Sequence, residues 1–281
     1  MLNNIKDIGS KSDKVLVFGG VYSNLQALQS LYQMASIHQI EQDHIICTGD
    51  IVGYCAQPSE CIDFIQAWGI HSILGNVEQN LLSGQEDCGC NFVEGGKCDL
   101  LSQKWYPFVS SAITASNRSF LSTLPHNIKF NFHNKTVTVV HGSINDIAQF
   151  IFKSTDWKTK ENNFIQTNSD IILAGHSGIP FADESMDKLW LNAGVIGMPA
   201  NDGTTDTWYM ILDSINEQIK YSFQRLRYDH ETAAELMLAN QLPTEYSATL
   251  KTGIWDNCEI LPETEKMQQG KKLEPAITSI M

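Results

Sequence analysis

Arginine is nearly missing from this chain: Arg118, Arg225 and Arg227 are the only three in 281 residues, and the net charge is −13. A nucleic-acid binder gains its affinity by neutralising phosphates with Lys and Arg, and no stripe of either is present, so nucleic acid is excluded as a partner. Long apolar runs are also missing. None approaches the roughly 18–20 residues that cross a bilayer, which excludes a membrane-spanning role. The N-terminal MLNNIKDIGSKSDK lacks the apolar stretch and small-residue cleavage site of a secretory leader, so a cytoplasmic location is expected. Seven cysteines occur, an odd number, and without a leader they are expected to be free, buried or metal-bound thiols rather than a disulfide framework.

What is present is a globular composition, 42% apolar and 18% charged, in a chain long enough for one large α/β domain and a small appendage. Short β-rich runs alternate with helical segments. KVLVFGG from Lys14 reads as a strand, NLQALQSLYQMA from Asn24 as a helix, and DHIICTGD as a strand ending in a glycine turn. PSECIDFIQAWGI then reads as a Pro-initiated helix and HSILGN as a further strand. This rhythm implies neighbouring parallel strands covered by helices, with chemistry collected beyond their C-terminal ends. NIKFNF and TVTVVHGS, joined at His133-Asn134-Lys135, read as a hairpin. KLWLNAG, TDTWYMILD and QIKYSFQRL read as antiparallel strands. The expected organisation is a flexible segment at 1–13, a main domain at 14–228 with a cysteine-containing loop and helical insert at 83–127, and helices plus a polar tail at 229–281. The tail from Glu263 is expected to be loosely ordered.

Four strand-end turns carry the candidate chemistry: Gly49-Asp50, Gly75-Asn76, His141-Gly142 and Gly175-His176. In each, a glycine permits a sharp turn and leaves a polar side chain at a rigid strand end. One Asp, one Asn and two His make an oxygen/nitrogen set suited to a divalent ion such as Mn, Zn, Fe or Ni. Each turn alone is commonplace; their order is what makes them specific.

That order resembles the calcineurin-like metallophosphoesterases, in particular the bacterial YfcE/diadenosine-tetraphosphatase-like branch. The family carries D-x-H, G-D, G-N-H-[DE], a lone H and G-H-x-H in succession. This chain has FGGVYSNLQAL, TGDIVGYCAQPSECID, LGNVEQNL, VTVVHGS, LAGHSGIPF and NAGVIGMPANDG in the matching places. The resemblance implies an α/β fold, a four-layer αββα sandwich of two mixed β-sheets with a C-terminal helical appendage. It also implies two metal ions at the rim. One ion would take Asp50, Asn76, His141 and His176, all present. The other would share Asp50 and needs both members of D-x-H and the last His of G-H-x-H, which fall here on Gly20, Tyr22 and Gly178. The family's proton donor, the His of G-N-H, falls on Val77.

One half-site is therefore complete and the other is not. Cys88, Cys90 and Cys98, with Glu78 or Tyr22, are candidates to rebuild it as a softer site. The same cysteines also fit a separate structural zinc site, or a loop of plain thiols. Cys55 lies in a loop that often lines the substrate pocket in the family; Asn24, which matches the Asn of the family's first turn, is read as a cap for the following helix ahead of a substrate contact. Three functions follow as expectations. The first is a metal-dependent hydrolase of a small phosphorylated or nucleotide substrate, working through an altered centre. The second is a non-catalytic metal- or nucleotide-binding module, and the third a thiol–metal site for a soft-metal or redox substrate. Oligomeric state is left open.

Overall fold

The computed structural model describes residues 4–215, 218–275 and 277–279. Two six-stranded sheets lie face to face. The first runs in the order β1 (Ile5–Lys11), β5 (Asn127–Phe132), β6 (Lys135–Val139), β7 (Ile171–Ala174), β9 (Lys188–Asn192), β8 (Phe181–Ser185). The second runs β12 (Ile277–Ser279), β11 (Gln218–Leu226), β10 (Thr207–Ile215), β2 (Val15–Phe18), β3 (Ile45–Cys47), β4 (His71–Ser72). β2, β3 and β4 pair in parallel, as do β6, β7 and β9, so the C-terminal ends of both triplets gather at a common rim.

The period-2 alternation of the strands builds the layers. Val15 and Val17 enter the core between the sheets, while Leu16 and Phe18 face the helices α1 (Leu25–Ile37) and α2 (Pro58–Trp68). On the other sheet, Ile171 and Leu173 point inward, and Ile172 and Ala174 join the outer cluster with α6 (Trp157–Thr167). There Phe164 meets Trp190 edge to face, with ring centroids 6.2 Å apart. The expected αββα sandwich is the observed one. β5 and β6 form the expected hairpin, with His133 at φ 52 in its turn. The insert supplies α4 (Lys97–Ala112) and α5 (Ala115–Leu121), which follow α3 (Asn76–Ser83).

Both chain ends differ from expectation. Residues 5–11, read as flexible, form β1 and pair in parallel with β5. The two helices expected after Tyr228 are α7 (His230–Ala239) and α8 (Thr244–Thr252, closed by Gly253), and beyond them the tail adds α9 (Glu263–Lys266) and returns as β12 against β11. An edge strand is held by main-chain pairing, so its side chains can stay polar and its sequence reads as coil. KLWLNAG pairs in parallel with β7 and antiparallel only with β8.

Phe130 is 1% exposed in the core between the sheets, whereas Ile8 on the edge strand is half-buried. Phe130→Ala is expected to lower the unfolding free energy by about 3–5 kcal/mol, and Ile8→Ala by less than about 2. Urea unfolding of both variants measures this, and equal losses would contradict the placement of the core.

Candidate metal centre and cavity

The rim is built from turns that press against one another. Gly49 and Gly75 face each other so closely that a Cβ on Gly75 would lie 2.1 Å from Asp50 Oδ1, and one on Gly49 would lie 2.7 Å from Gly75 N. Glycine at both positions is a packing requirement. Glu78, in the first turn of α3, ties the turns together. Its carboxylate accepts hydrogen bonds from the backbone N–H groups of Asp50 (3.0 Å), Val52 (3.0 Å) and Gly75 (2.8 Å). It is fully buried, and burial together with the Asp50 carboxylate pushes its carboxyl up to about 7.

Four ligand-type atoms meet at the rim. The Nδ1–H of His141 donates to the Thr48 carbonyl at 2.6 Å, a partner that orients the ring and turns Nε2 toward the rim. That Nε2 faces Asn76 Oδ1 at 3.0 Å, His176 Nδ1 at 3.2 Å and Asp50 Oδ2 at 3.2 Å. Asn76 is oriented by its own Nδ2, which donates to the Cys88 carbonyl at 2.9 Å and contacts Cys90 Sγ at 3.2 Å. His176 stacks on Phe150, centroids 4.2 Å apart. Burial and the neighbouring His141 push it down to about 3, so it stands as the neutral imidazole that a metal ligand must be. Burial alone would raise the Asp50 carboxyl, but the two imidazoles, His141 foremost, hold it below its usual range.

Burial alone would lower His141, but Asp50 beside it raises it, so a positive charge, as a proton on Nε2 or as a cation, suits the point where these atoms converge. Asp50 Oδ1 and His176 Nε2, both buried, have no hydrogen-bond partner at all. Asp50, His141 and His176 are the group of metal-ligand type found among the described residues, each offering an atom within 4.8 Å of the others. The donor set and the orphaned Asp50 oxygen fit a divalent cation.

The space beside Gly20 is filled. A Cβ on Gly20, which has φ +43, would lie 2.5 Å from Val195 Cγ1 and 2.7 Å from Tyr22 Cζ. The Tyr22 ring therefore occupies the space into which a side chain at position 20 would project. Tyr22 is 7% exposed and packs against Tyr54, centroids 4.5 Å apart. Burial, with Asp50 and Glu78 nearby, raises its phenol well above the ordinary value, so it stays protonated. At Gly178 a Cβ would touch the Trp255 indole at 3.4 Å. Val77 is fully buried in the helix-side core.

The other candidates fall elsewhere. Glu78 spends both oxygens on backbone N–H groups, which accounts for its burial without a metal. Cys88 and Cys90 are joined to each other as a disulfide around Gly89, against the expectation of free thiols. Cys98 is apart from them: its Sγ contacts Asn257 Oδ1 at 3.1 Å, and burial pushes its thiol up to about 12. The three cysteines therefore form no cluster. Asn24 caps α1, accepting from the Ala27 N–H at 3.1 Å and donating to the Gly197 carbonyl at 3.1 Å. Cys55 is 1% exposed, with its thiol pushed up to about 12 by burial. Neither Asn24 nor Cys55 reaches the cavity wall.

That cavity, about 80 Å³, opens beside Asp50 and His176. Its walls include Tyr22, Tyr54, Phe92, Phe150, Tyr246 and Trp255. Sequence reasoning did not anticipate Trp255, which arrives from the C-terminal segment. Its Nε1–H donates to the Pro199 carbonyl at 2.7 Å and its N–H to Asn201 Oδ1 at 2.8 Å. The segment is clamped further by Glu259, whose carboxylate accepts from the N–H groups of Lys97 and Cys98 at the start of α4.

Residues 14–217 match the family model described as the calcineurin-like phosphoesterase superfamily domain. An uncharacterised protein of Methanocaldococcus jannaschii, MJ0912, is 29% identical over 246 residues, covering 82% of this chain and 93% of that one. A metallophosphoesterase from Sphaerobacter thermophilus superposes with a TM-score of 0.67 at 20% identity, over 87% of this chain and all of the other. The hypothetical protein PH1004 from Pyrococcus horikoshii gives 0.72 at 18% identity, over 86% and 99%. At those identities the two structures bear on the fold alone.

Because the Tyr22 ring fills the space, Gly20→Asp is expected to destabilise the protein by about 1–3 kcal/mol. Adding Tyr22→His should recover at least half of the loss. Thermal unfolding of the single and double variants measures the coupling, and additive losses would show that the ring is not what blocks position 20.

Proposed function

The chain belongs to the calcineurin-like phosphoesterase superfamily, and we propose that it is a phosphoesterase working through a single-ion centre at Asp50, Asn76, His141 and His176. The observation that carries this reading is the convergence of Asn76 Oδ1, Asp50 Oδ2 and His176 Nδ1 on His141 Nε2, beside a half-site closed by Tyr22 and Val195. A divalent ion in the first position would supply Lewis-acid stabilisation of a phosphoryl oxygen and would acidify water. The protein's own contribution is orientation. The Thr48 carbonyl sets the His141 ring, the Cys88 carbonyl sets the Asn76 amide, and Phe150 sets the plane of His176. The aromatic walls exclude bulk water from the reacting centre.

What the chain lacks limits the chemistry. Val77 cannot give a proton to a departing oxygen, a contribution worth roughly 10²–10⁴-fold where it exists. Esters with good leaving groups are therefore the substrates that turn over. The same deficit supports a second reading, in which the centre binds a phosphorylated molecule without hydrolysing it.

Metal analysis of protein dialysed against manganese or zinc is expected to give one ion per chain, falling below about a tenth in His141→Ala. The loaded protein should hydrolyse p-nitrophenyl phosphate above that variant, and methyl phosphate at least about 10²-fold more slowly. Binding of phosphate without turnover would favour the second reading, and two ions per chain would defeat the single-ion proposal.

A further inference from the structure

The cavity above this centre has a composition unsuited to a polyphosphate. Among the described residues no lysine or arginine lines it, and its charged members are the carboxylates Asp50 and Asp256. Lys97, the basic group beside it, is already paired with Asp256 at 2.5 Å. A chain of several phosphates would bring three or more negative charges against two carboxylates with one ion to balance them.

The walls themselves are aromatic. Tyr54 stacks on Trp105 at 4.8 Å and meets Tyr246 edge on at 4.9 Å, which makes one rigid side. Phe92 and Phe150 stack at 6.4 Å on the other, and the Phe150 face continues onto His176. Trp255 covers Gly178 between them and is held by its two hydrogen bonds to the 199–201 loop. Flat rings in such surroundings gain from offset and edge contacts beyond their buried area.

Resting on the single-ion reading above, the geometry points to the phosphate monoester of a phenol as the substrate class. Two features agree on it: the walls suit a ring, and no lysine or arginine among the described lining residues would hold a polyphosphate. A phenol ionises near pH 10, whereas an alkanol's alkoxide is a far poorer leaving group. In the reaction, water adds to phosphorus through its oxygen as the bond from phosphorus to the aryl oxygen breaks. The bonding pair leaves on the phenolate oxygen. The proton released by the attacking water passes to solvent, and the phenolate takes one back, so the products are phosphate and the phenol.

Calorimetric titration of the full, manganese-loaded chain with phenylphosphonate, methylphosphonate and ATP tests this without relying on turnover. Phenylphosphonate is expected to bind at least about 10-fold more tightly than methylphosphonate, and ATP should not displace it. Trp255→Ala should cut that ratio to below about threefold, and Phe92→Ala should lower it in the same direction if the first variant is poorly folded. Equal affinity for the two phosphonates, or tighter binding of ATP, would overturn the substrate class while leaving an oxyanion-binding centre at Asp50. Failure of all three to bind would overturn that centre and this inference together.

Discussion

The hydrogen bond from His141 Nδ1 to the Thr48 carbonyl joins the two sheets at their shared rim, and the functional end of the molecule is organised around it. Thr48 follows β3 in one sheet and His141 follows β6 in the other, so this contact sets the distance between them at that end. It also orients the imidazole with Nε2 toward the rim, and thereby turns a packing contact into a chemical one. Glu78 performs the complementary task within one sheet, binding the turns after β3 and β4 through three backbone N–H groups. Remove either tie and the remaining polar atoms have no reason to share a point.

Tyr22, Val195 and Trp255 form a low-dielectric wall beside Asp50 and His176. A charge beside such a wall acts over a longer range than it would in water. The wall also offers a surface that discriminates by shape. The packing at Gly20 and this wall are linked physically, because the same phenol ring both fills the position beside Gly20 and lines the cavity.

The four turns were legible because glycine next to a polar residue, at the end of each short apolar run, is a local pattern, and the four-layer fold was legible because their order resembles a known family. β1 and β12 were not legible. IKDIGSK and ITS gain strand character from a partner far away in the chain, and their polar edges show no sandwich periodicity. The filling of the space beside Gly20 was half visible: the sequence reveals Gly20, Tyr22 and Gly178, but only the folded chain shows that Tyr22 lies over Gly20. Trp255 was invisible for a related reason, since its contact with Gly178 depends on Asn201, Pro199 and Glu259 all clamping the same segment. Cysteine spacing misled, because C-x-C-x7-C puts Cys98 at a helix start, away from the pair that precedes it.

The steric interlock at positions 20, 22 and 178 bears on how such a site can change over generations. An aspartate at 20 collides with a ring, an imidazole at 22 alone faces a neighbour with no side chain, and an imidazole at 178 meets an indole. A side chain at position 20 has to displace the Tyr22 ring before it can contribute any coordination, so positions 20 and 22 are coupled through packing.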